Sequence, residues 1–352
     1  MAVNRRLDPG DIPDHWRSQD ERHLPAHYQP ALLIELARAR GMADHRLLRH
    51  TGLFLDDILA GEALISDRQY RRLITNVQHH GAAEELALLW GRQLLPGHYG
   101  ALTPLLQHAP NLAQALQGLY EHRHHLCPLL APQWWHDRQW GYLLWINGGA
   151  GRARSFVSRA MMAAVYGLFR HRSGRVPDWY FLFSQSHPTT PEAHEVNLGQ
   201  RVHFTTGVDM IIMPLQDLNV GWADSSPTAF SVARHQLAGK EATVAPRSTL
   251  PEALYHLLIR HAEAPPDLNT TAHALAMSPS SLKRRLRDCD THFQSLHDEA
   301  RLHYSLYLSQ VLGLDMDAIA ERLSHGDRAN FRRSFRRWTG MTPAHFQMWL
   351  MP

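Results

Sequence analysis

Cysteine is nearly missing from this chain. Cys127 and Cys289 are the only two in 352 residues, too few and too far apart for a disulfide framework or a Cys-x-x-Cys metal or redox site. That scarcity suits a reducing cytoplasm. Long apolar runs are missing too: nothing approaches the roughly 20 apolar residues that a membrane-spanning helix needs, and the best short run, Met210–Met213, stops at Pro214. The first twenty positions carry Arg5, Arg6, Asp8, Asp11, Asp14 and Arg17 and hold no apolar core of a signal peptide. The expectation is a cytoplasmic protein with no membrane partner. Neither sign of charge dominates, with 36 basic against 33 acidic residues and a net charge of +3, so a polyanionic partner is permitted without being required. No Gly-x-Ser-x-Gly elbow and no pairing of a nucleophile with a general base is evident, so the sequence gives no support for an enzyme or a cofactor.

What is present is ordinary globular composition, 44% hydrophobic and 20% charged. The length allows two domains, since typical domains hold about 100–200 residues. From Pro30 to about Leu130 apolar residues recur at helical spacing: Leu32, Leu33 and Leu36, then Leu73, Ile74 and Val77, then Leu86, Leu88, Leu89 and Trp90. Strand-like runs follow at Trp140–Ile146, Trp179–Phe183 and Met210–Met213, divided by a helical stretch around Phe156–Phe169. Small and polar residues with Pro246 break the pattern at 239–249, where we expect a linker. The predicted fold is an α+β N-terminal domain over 1–238 and an all-α domain over 250–352.

The last segment repeats itself. Ala272-His273-Ala274-Leu275 leads to Leu282-Lys283-Arg284-Arg285-Leu286, and the layout recurs as Ala320-Glu321-Arg322-Leu323 leading to Phe331-Arg332-Arg333-Ser334-Phe335. A small alanine lets a second helix cross closely, and Ser278-Pro279 and Gly326-Asp327 occupy the turns, so each copy has the layout of a helix-turn-helix. Ser278 followed by proline is also a good helix start. At about 100° per residue, Leu282 and Leu286 line the inner side of the first unit's second helix, with Ser280, Lys283, Arg284 and Arg287 away from it. In the second copy Phe331, Phe335 and Trp338 lie inward and Arg332, Arg333, Arg336 and Arg337 outward. Four arginines with only Asp327 close in sequence point to double-stranded DNA, whose phosphates would neutralise them while a helix enters the major groove. Lys283, Arg284, Arg332 and Arg333 are the candidates for base edges, and Arg287, Arg336 and Arg337 for phosphates. The apolar stretch from Phe293 to Leu312 predicts a long helix joining the units, able to set them about 34 Å apart, one turn of the duplex.

These residues resemble the DNA-binding domain of the AraC/XylS family of transcription regulators. The segment from Ile319 to Pro343, closing on Gly340-Met341-Thr342-Pro343, is similar to that family's second unit, and Met277-Ser278-Pro279 with Leu282-Lys283-Arg284 to its first. The resemblance implies base contact by Ser280, Lys283 and Arg284, and by Arg328, Asn330, Arg332 and Arg333. This chain departs from the family in having Ser324-His325 where Gly-Phe is usual, which should thin the packing of the second unit, and Gln347 where a basic residue is usual. Leu95-Pro96-Gly97-His98-Tyr99-Gly100 followed by Pro110–Leu116 resembles the effector-sensing, arabinose-binding-type domain of one branch of the family, rather than a small β-barrel sensor. The resemblance thus implies a small-molecule effector, RNA polymerase as a partner and activation of transcription, and it leaves homodimerisation open.

Other constellations carry less. His122, His124, His125 and Cys127 are close enough to suggest metal ligands, yet consecutive positions point to different sides of a helix, and neither a His-x-x-x-His pair with a glutamate nor a Cys-x-x-Cys is present. Gly148-Gly149-Ala150-Gly151-Arg152 lacks a phosphate loop's Gly-Lys-Ser/Thr ending. Trp134, Trp135, Trp140, Tyr142 and Trp145 suit a hairpin face better than an apolar ligand pocket. Two other readings remain: a metal-dependent enzyme on the N-terminal domain with a DNA-binding tail, and a regulator whose N-terminal domain only dimerises.

Overall fold

The computed structural model describes residues 16–350 apart from 80, 96, 98–101, 126–128, 189, 244–247 and 324–327. The chain begins with β1 (Arg22–Pro25), α1 (Gln29–Ala39), α2 (Asp44–Leu47), α3 (Leu55–Leu59), β2 (Leu64–Ser66), α4 (Asp67–Gln78), α5 (Ala83–Leu94), α6 (Leu102–His108) and α7 (Leu112–Glu121). A mixed region follows: β3 (Leu130–His136), β4 (Trp140–Asn147), α8 (Arg154–Ser173), β5 (Tyr180–Leu182), α9 (Pro191–Leu198), β6 (Val202–His203), β7 (Met210–Pro214), α10 (Leu215–Asn219) and α11 (Pro227–Thr243). The remainder is helical: α12 (Leu250–Arg260), α13 (Leu268–Ala274), α14 (Pro279–Asp288), α15 (Phe293–Gln310), α16 (Met316–Arg322), α17 (Arg328–Thr339) and α18 (Pro343–Leu350). This is the expected α+β domain followed by an all-α region with two helix-turn-helix units and a long joining helix, α15.

The main sheet has the order β3-β4-β7-β5-β6, with β5 and β6 parallel and the other pairs antiparallel. Side chains alternate across its strands, and the alternation decides what covers each face. Leu143 and Trp145 of β4, Phe181 of β5 and Ile211 and Met213 of β7 pack into one core with Trp90 of α5 and with Phe156, Ala160 and Phe169 of α8. Their neighbours point the other way. Tyr142 and Leu144, Leu182, Met210 and Ile212 share a second core with Leu302 and Leu306 of α15 and Phe331 and Phe335 of α17. Ala131 of β3 and Ile146 of β4 join a third core with Leu254 and Leu258 of α12 and Leu282 and Leu286 of α14.

The helix-turn-helix region therefore covers the sheet's second face. A continuous apolar strand such as Tyr142-Leu143-Leu144-Trp145-Ile146 is what burial on both faces requires. Polar ties border this contact. Arg154 on α8 reaches Glu299 of α15 at 2.8 Å and Asp209 at 3.4 Å. Burial alone would lower the Arg154 pKa, but the two carboxylates outweigh it and raise it. Arg123 pairs with Glu252 of α12, and the Tyr142 hydroxyl lies 2.8 Å from Asp137 and 3.2 Å from Gln310 of α15.

One expectation needs correction. The stretch from 239 is not irregular from its start, because α11 runs on to Thr243. Lys240, Glu241 and Ala242 are good helix formers that prolong the preceding helix. At its other end, Thr249 caps α12 by accepting from the Glu252 amide, and the backbone carbonyl of Ser248 accepts from Arg17 N at 2.9 Å.

Candidate nucleic-acid interface

Each helix-turn-helix unit is built the same way. Asp267 caps α13 by accepting from the Thr270 amide, and Asp315 caps α16 by accepting from the amides of Asp317 and Ala318. The alanines at the crossings, Ala272 and Ala320, are buried, as close helix approach requires. Ser278 caps α14 through the Ser281 amide at 3.1 Å, with Pro279 opening the helix. Ala276, in the turn before it, has a φ of 52°, the left-handed conformation a tight turn needs. The corresponding turn of the second unit, including Ser324-His325 and Gly326-Asp327, lies outside the described residues, and so does the expected thinning of its packing.

Burial on α14 and α17 follows the predicted stripes. Leu282, Leu286, Phe331 and Phe335 are buried, Trp338 is half-buried, and Ser280, Lys283, Arg284, Arg287, Arg328, Arg332, Arg333, Arg336 and Arg337 are exposed. Asn330 is half-buried, and Arg333 donates to its side-chain oxygen. Among the described residues, Lys283, Arg284, Arg287, Arg332, Arg333 and Arg336 have no carboxylate within ion-pair distance. Arg284 also borders a cavity of about 390 Å³ between α14 and the N-terminal segment, together with Asp20, Arg68 and Arg285.

Two arginines behave otherwise. Arg337 donates to Asp298 of α15 at 2.8 Å, and Arg328 pairs with Asp317 of α16 at 3.3 Å. The expectation that none of the four outward arginines is easily neutralised within the chain is thereby corrected for Arg337, whose acidic partner is close in space and distant in sequence. Burial would raise the Asp298 carboxyl, but hydrogen bonds from His297, Arg337 and Gln294 hold it down at about 2. Arg337 already has a counter-charge, so Arg337→Ala should lower DNA affinity and its salt slope less than Arg336→Ala does, with about one counterion lost from the slope for Arg336. Fluorescence anisotropy across a salt series measures both.

The base of α14 is held from the N-terminal domain. Arg71 of α4 donates to the Asp288 carbonyl at 3.0 Å, to the Gly149 carbonyl at 2.7 Å and to Gln19 at 2.9 Å, and lies 3.4 Å from the Asp290 carboxylate. This explains the glycine-rich turn after β4. A Cβ on Gly151 would fall 2.3 Å from Asp290 Cβ, so the turn is bare because the first unit approaches it. Sequence reasoning missed Arg71, Arg154 and Glu299 because each bond they make crosses a long sequence distance.

The remaining candidates sort by face. Tyr142 and Trp145 are buried on opposite sides of the sheet, while Trp134 and Trp135 border an open cavity of about 400 Å³ with Tyr120 and Tyr307. Of the histidine cluster, Cys127 lies outside the described residues. His122 is buried, and burial pushes the His124 pKa down to about 4. Among the described residues no three His, Cys, Asp or Glu side chains form a metal-binding group, and no helix is long and apolar enough to cross a membrane. Most of the Leu95–Gly100 motif also lies outside the described residues.

Residues 41–220 match the arabinose-binding domain of AraC transcription regulators, N-terminal, and residues 271–348 match a helix-turn-helix domain. The chain belongs to the AraC family of transcription regulators. It is 27% identical over 198 residues to the ornithine utilization regulator of Pseudomonas aeruginosa, covering 56% of this chain and 58% of that one. Over 82 residues it is 34% identical to the HTH-type transcriptional regulator VqsM of the same organism, covering 23% and 25%. The matches thus span little more than half of the first relative and a quarter of the second. Among solved structures, the transcriptional regulator CdpR from Pseudomonas aeruginosa aligns over 90% of this chain and 97% of its own, at 18% identity and a TM-score of 0.43.

Proposed function

We propose that the protein is a sequence-specific DNA-binding transcription regulator whose N-terminal domain responds to a small-molecule effector. The observation that carries the DNA half is the exposed row of unpaired cations on α14 and α17, opposite the apolar stripe that seats each helix on its domain. In this reading Lys283, Arg284, Arg332 and Arg333 meet base edges, with Ser280, Arg328 and Asn330 in base contact beside them, and Arg287, Arg336 and Arg337 meet phosphates. The domain division is 1–238 for sensing and 250–352 for DNA binding, with 239–249 between them. The regulator works in the cytoplasm as an activator, with RNA polymerase as its protein partner, alone or as a homodimer. An effector changes activity only by binding two arrangements of the domains with different affinity. The Arg71, Arg154 and Arg123 ties are the contacts that such a rearrangement would break or remake.

The test is a DNA site selected in vitro by the full chain. Arg284→Ala and Arg333→Ala should each cost about 1–3 kcal/mol on that site and relax base preference at one position, while Arg336→Ala weakens all sequences alike. Unchanged affinity and preference in both of the first two variants would overturn the assignment of the reading helices.

A further inference from the structure

Arginines in the N-terminal domain are mostly paired: Arg17 with Asp67, Arg38 with Asp44, Arg40 with Glu85 and Arg68 with Asp20. Three are not. Arg46, Arg49 and Arg72 border one cavity of about 630 Å³, together with His50, Asn76 and His79. Among the described residues no carboxylate stands within ion-pair distance of any of the three, and no acidic residue lines the cavity. Like charges gathered in a concavity repel one another, and a guanidinium is built to grip a carboxylate or phosphate through two parallel bonds. The volume lies within the range of about 300–1,000 Å³ typical of small-molecule sites.

The cavity wall is also held in place. Asn76 of α4 donates to the carbonyls of Leu47 and Arg49, both at 2.8 Å, pinning the loop after α2 to α4. Gln69 donates to the Thr51 carbonyl at 3.0 Å, and His50 sits in the left-handed region at a φ of 58°. Arg49 Nε donates to the His50 ring at 3.2 Å. The cationic side chains therefore project from a fixed backbone, which reduces the ordering cost of binding.

We infer that this cavity binds a small polyanion, a metabolite carrying phosphate or several carboxylates, and that it is the effector site of the regulator. This rests on the effector-responsive reading above. The route to the DNA-binding region is short, because α4 carries Arg72 and Asn76 at the cavity and the adjacent Arg71 holds the end of α14. A ligand that draws Arg72 inward turns or shifts α4, and Arg71 moves with it. A concave site of this size on the sensing domain favours a small ligand over the backbone of DNA.

The experiment is calorimetric titration of the full chain with two probes, inorganic pyrophosphate and citrate, in the absence of DNA. One equivalent of either should bind, and the probe that binds names the head group. Replacing Arg46, Arg49 and Arg72 together by glutamine should weaken that binding about tenfold or more, while Arg234→Gln, an exposed arginine elsewhere, leaves it unchanged. The triple variant should keep wild-type affinity for the selected DNA site without probe. No heat from either probe, or equal binding by the triple variant, overturns the inference and leaves the DNA-binding reading standing. Loss of DNA affinity and salt slope in the triple variant also overturns it, by making the cavity a DNA contact. A triple variant that does not fold is replaced by Arg72→Gln alone, for which the same weakening is expected in smaller degree.

Discussion

Between pH 7.5 and pH 5.0 the folded protein should lose about 4 kcal/mol of stability through His194 and His303, above the range in which most carboxylates titrate. The loss comes from histidines that are buried without charge. His303 of α15 accepts or donates one hydrogen bond, with the Tyr255 hydroxyl at 2.8 Å, and burial, reinforced by the nearby Arg154, pushes its pKa down to about 3. His194 of α9 accepts from Arg159 Nε at 3.1 Å and packs against Phe183 and Phe204, and burial beside Arg159 pushes it down to about 4. Their ordinary value is 6.5. Below 6.5 the unfolded chain takes a proton at each position and the folded chain does not, so the stability is complete above 6.5 and falls as the pH drops toward the folded values. Each histidine contributes a slope of about 1.4 kcal/mol per pH unit. His124, half-buried and lowered to about 4, acts in the same direction. Asp298 and Glu252 act mainly below this window, because the stability from their lowered pKa values is lost only as the pH falls through their ordinary values of 3.8 and 4.5 toward the folded ones. Urea unfolding at the two pH values measures the effect. His194→Gln and His303→Gln should each flatten the dependence, even if they lower stability at pH 7.5. A stability that does not change between pH 7.5 and 5.0 contradicts the neutral, buried state of these rings.

Gly91→Ala should abolish the folded N-terminal domain. At the crossing of α5 and α8, a Cβ on Gly91 would stand 2.1 Å from the Ala160 carbonyl oxygen and 2.8 Å from its Cα. Backbone atoms of a helix cannot step aside as a side-chain tip can. The two helices must part, and the core that holds Trp90 and Phe156 opens with them. Overpacking usually costs about 1–3 kcal/mol when side chains absorb it, so a backbone collision should exceed that range. Gly207→Ala offers a contrast. Its Cβ would lie 2.2 Å from Thr339 Cα at the end of α17, and its φ of 75° strains any other residue. That collision falls between the sheet and the second helix-turn-helix unit rather than inside either domain. Scanning calorimetry of the wild type should show one transition, because the sheet shares its second core with α15 and α17. Gly207→Ala should split it in two, and Gly91→Ala should leave no sharp transition for the N-terminal domain. A folded Gly91→Ala protein with unchanged melting would contradict the α5–α8 packing.

Elements with a strong local signal could be read from residues alone. The Phe156–Phe169 stretch became α8, the alternating or apolar runs became β4 and β7, and the repeated Ala with Leu282-x-x-x-Leu286 and Phe331-x-x-x-Phe335 marked both helix-turn-helix units. What escaped was carried by distant partners. β3 holds Pro132 in its middle, tolerable there because it is an edge strand, and so it lacked the pattern of a strand interior. The two-residue β6 has no periodicity to detect. The apolar run in β4 announced burial on both faces, yet nothing local said that α12, α14, α15 and α17 supply the second cover. On the interface, exposure of the predicted cations followed from helix geometry, whereas the neutralising of Arg337 by Asp298 depended on how α15 and α17 pack.

The most direct test of the central claim is chemical interference footprinting of the full chain on its selected DNA site. The account predicts two major-groove patches on one face of the duplex, centred about one turn or 10–10.5 base pairs apart. Arg284→Ala should erase contacts from one patch and Arg333→Ala from the other. A single continuous patch, patches on opposite faces, or a footprint that ignores both substitutions would contradict it.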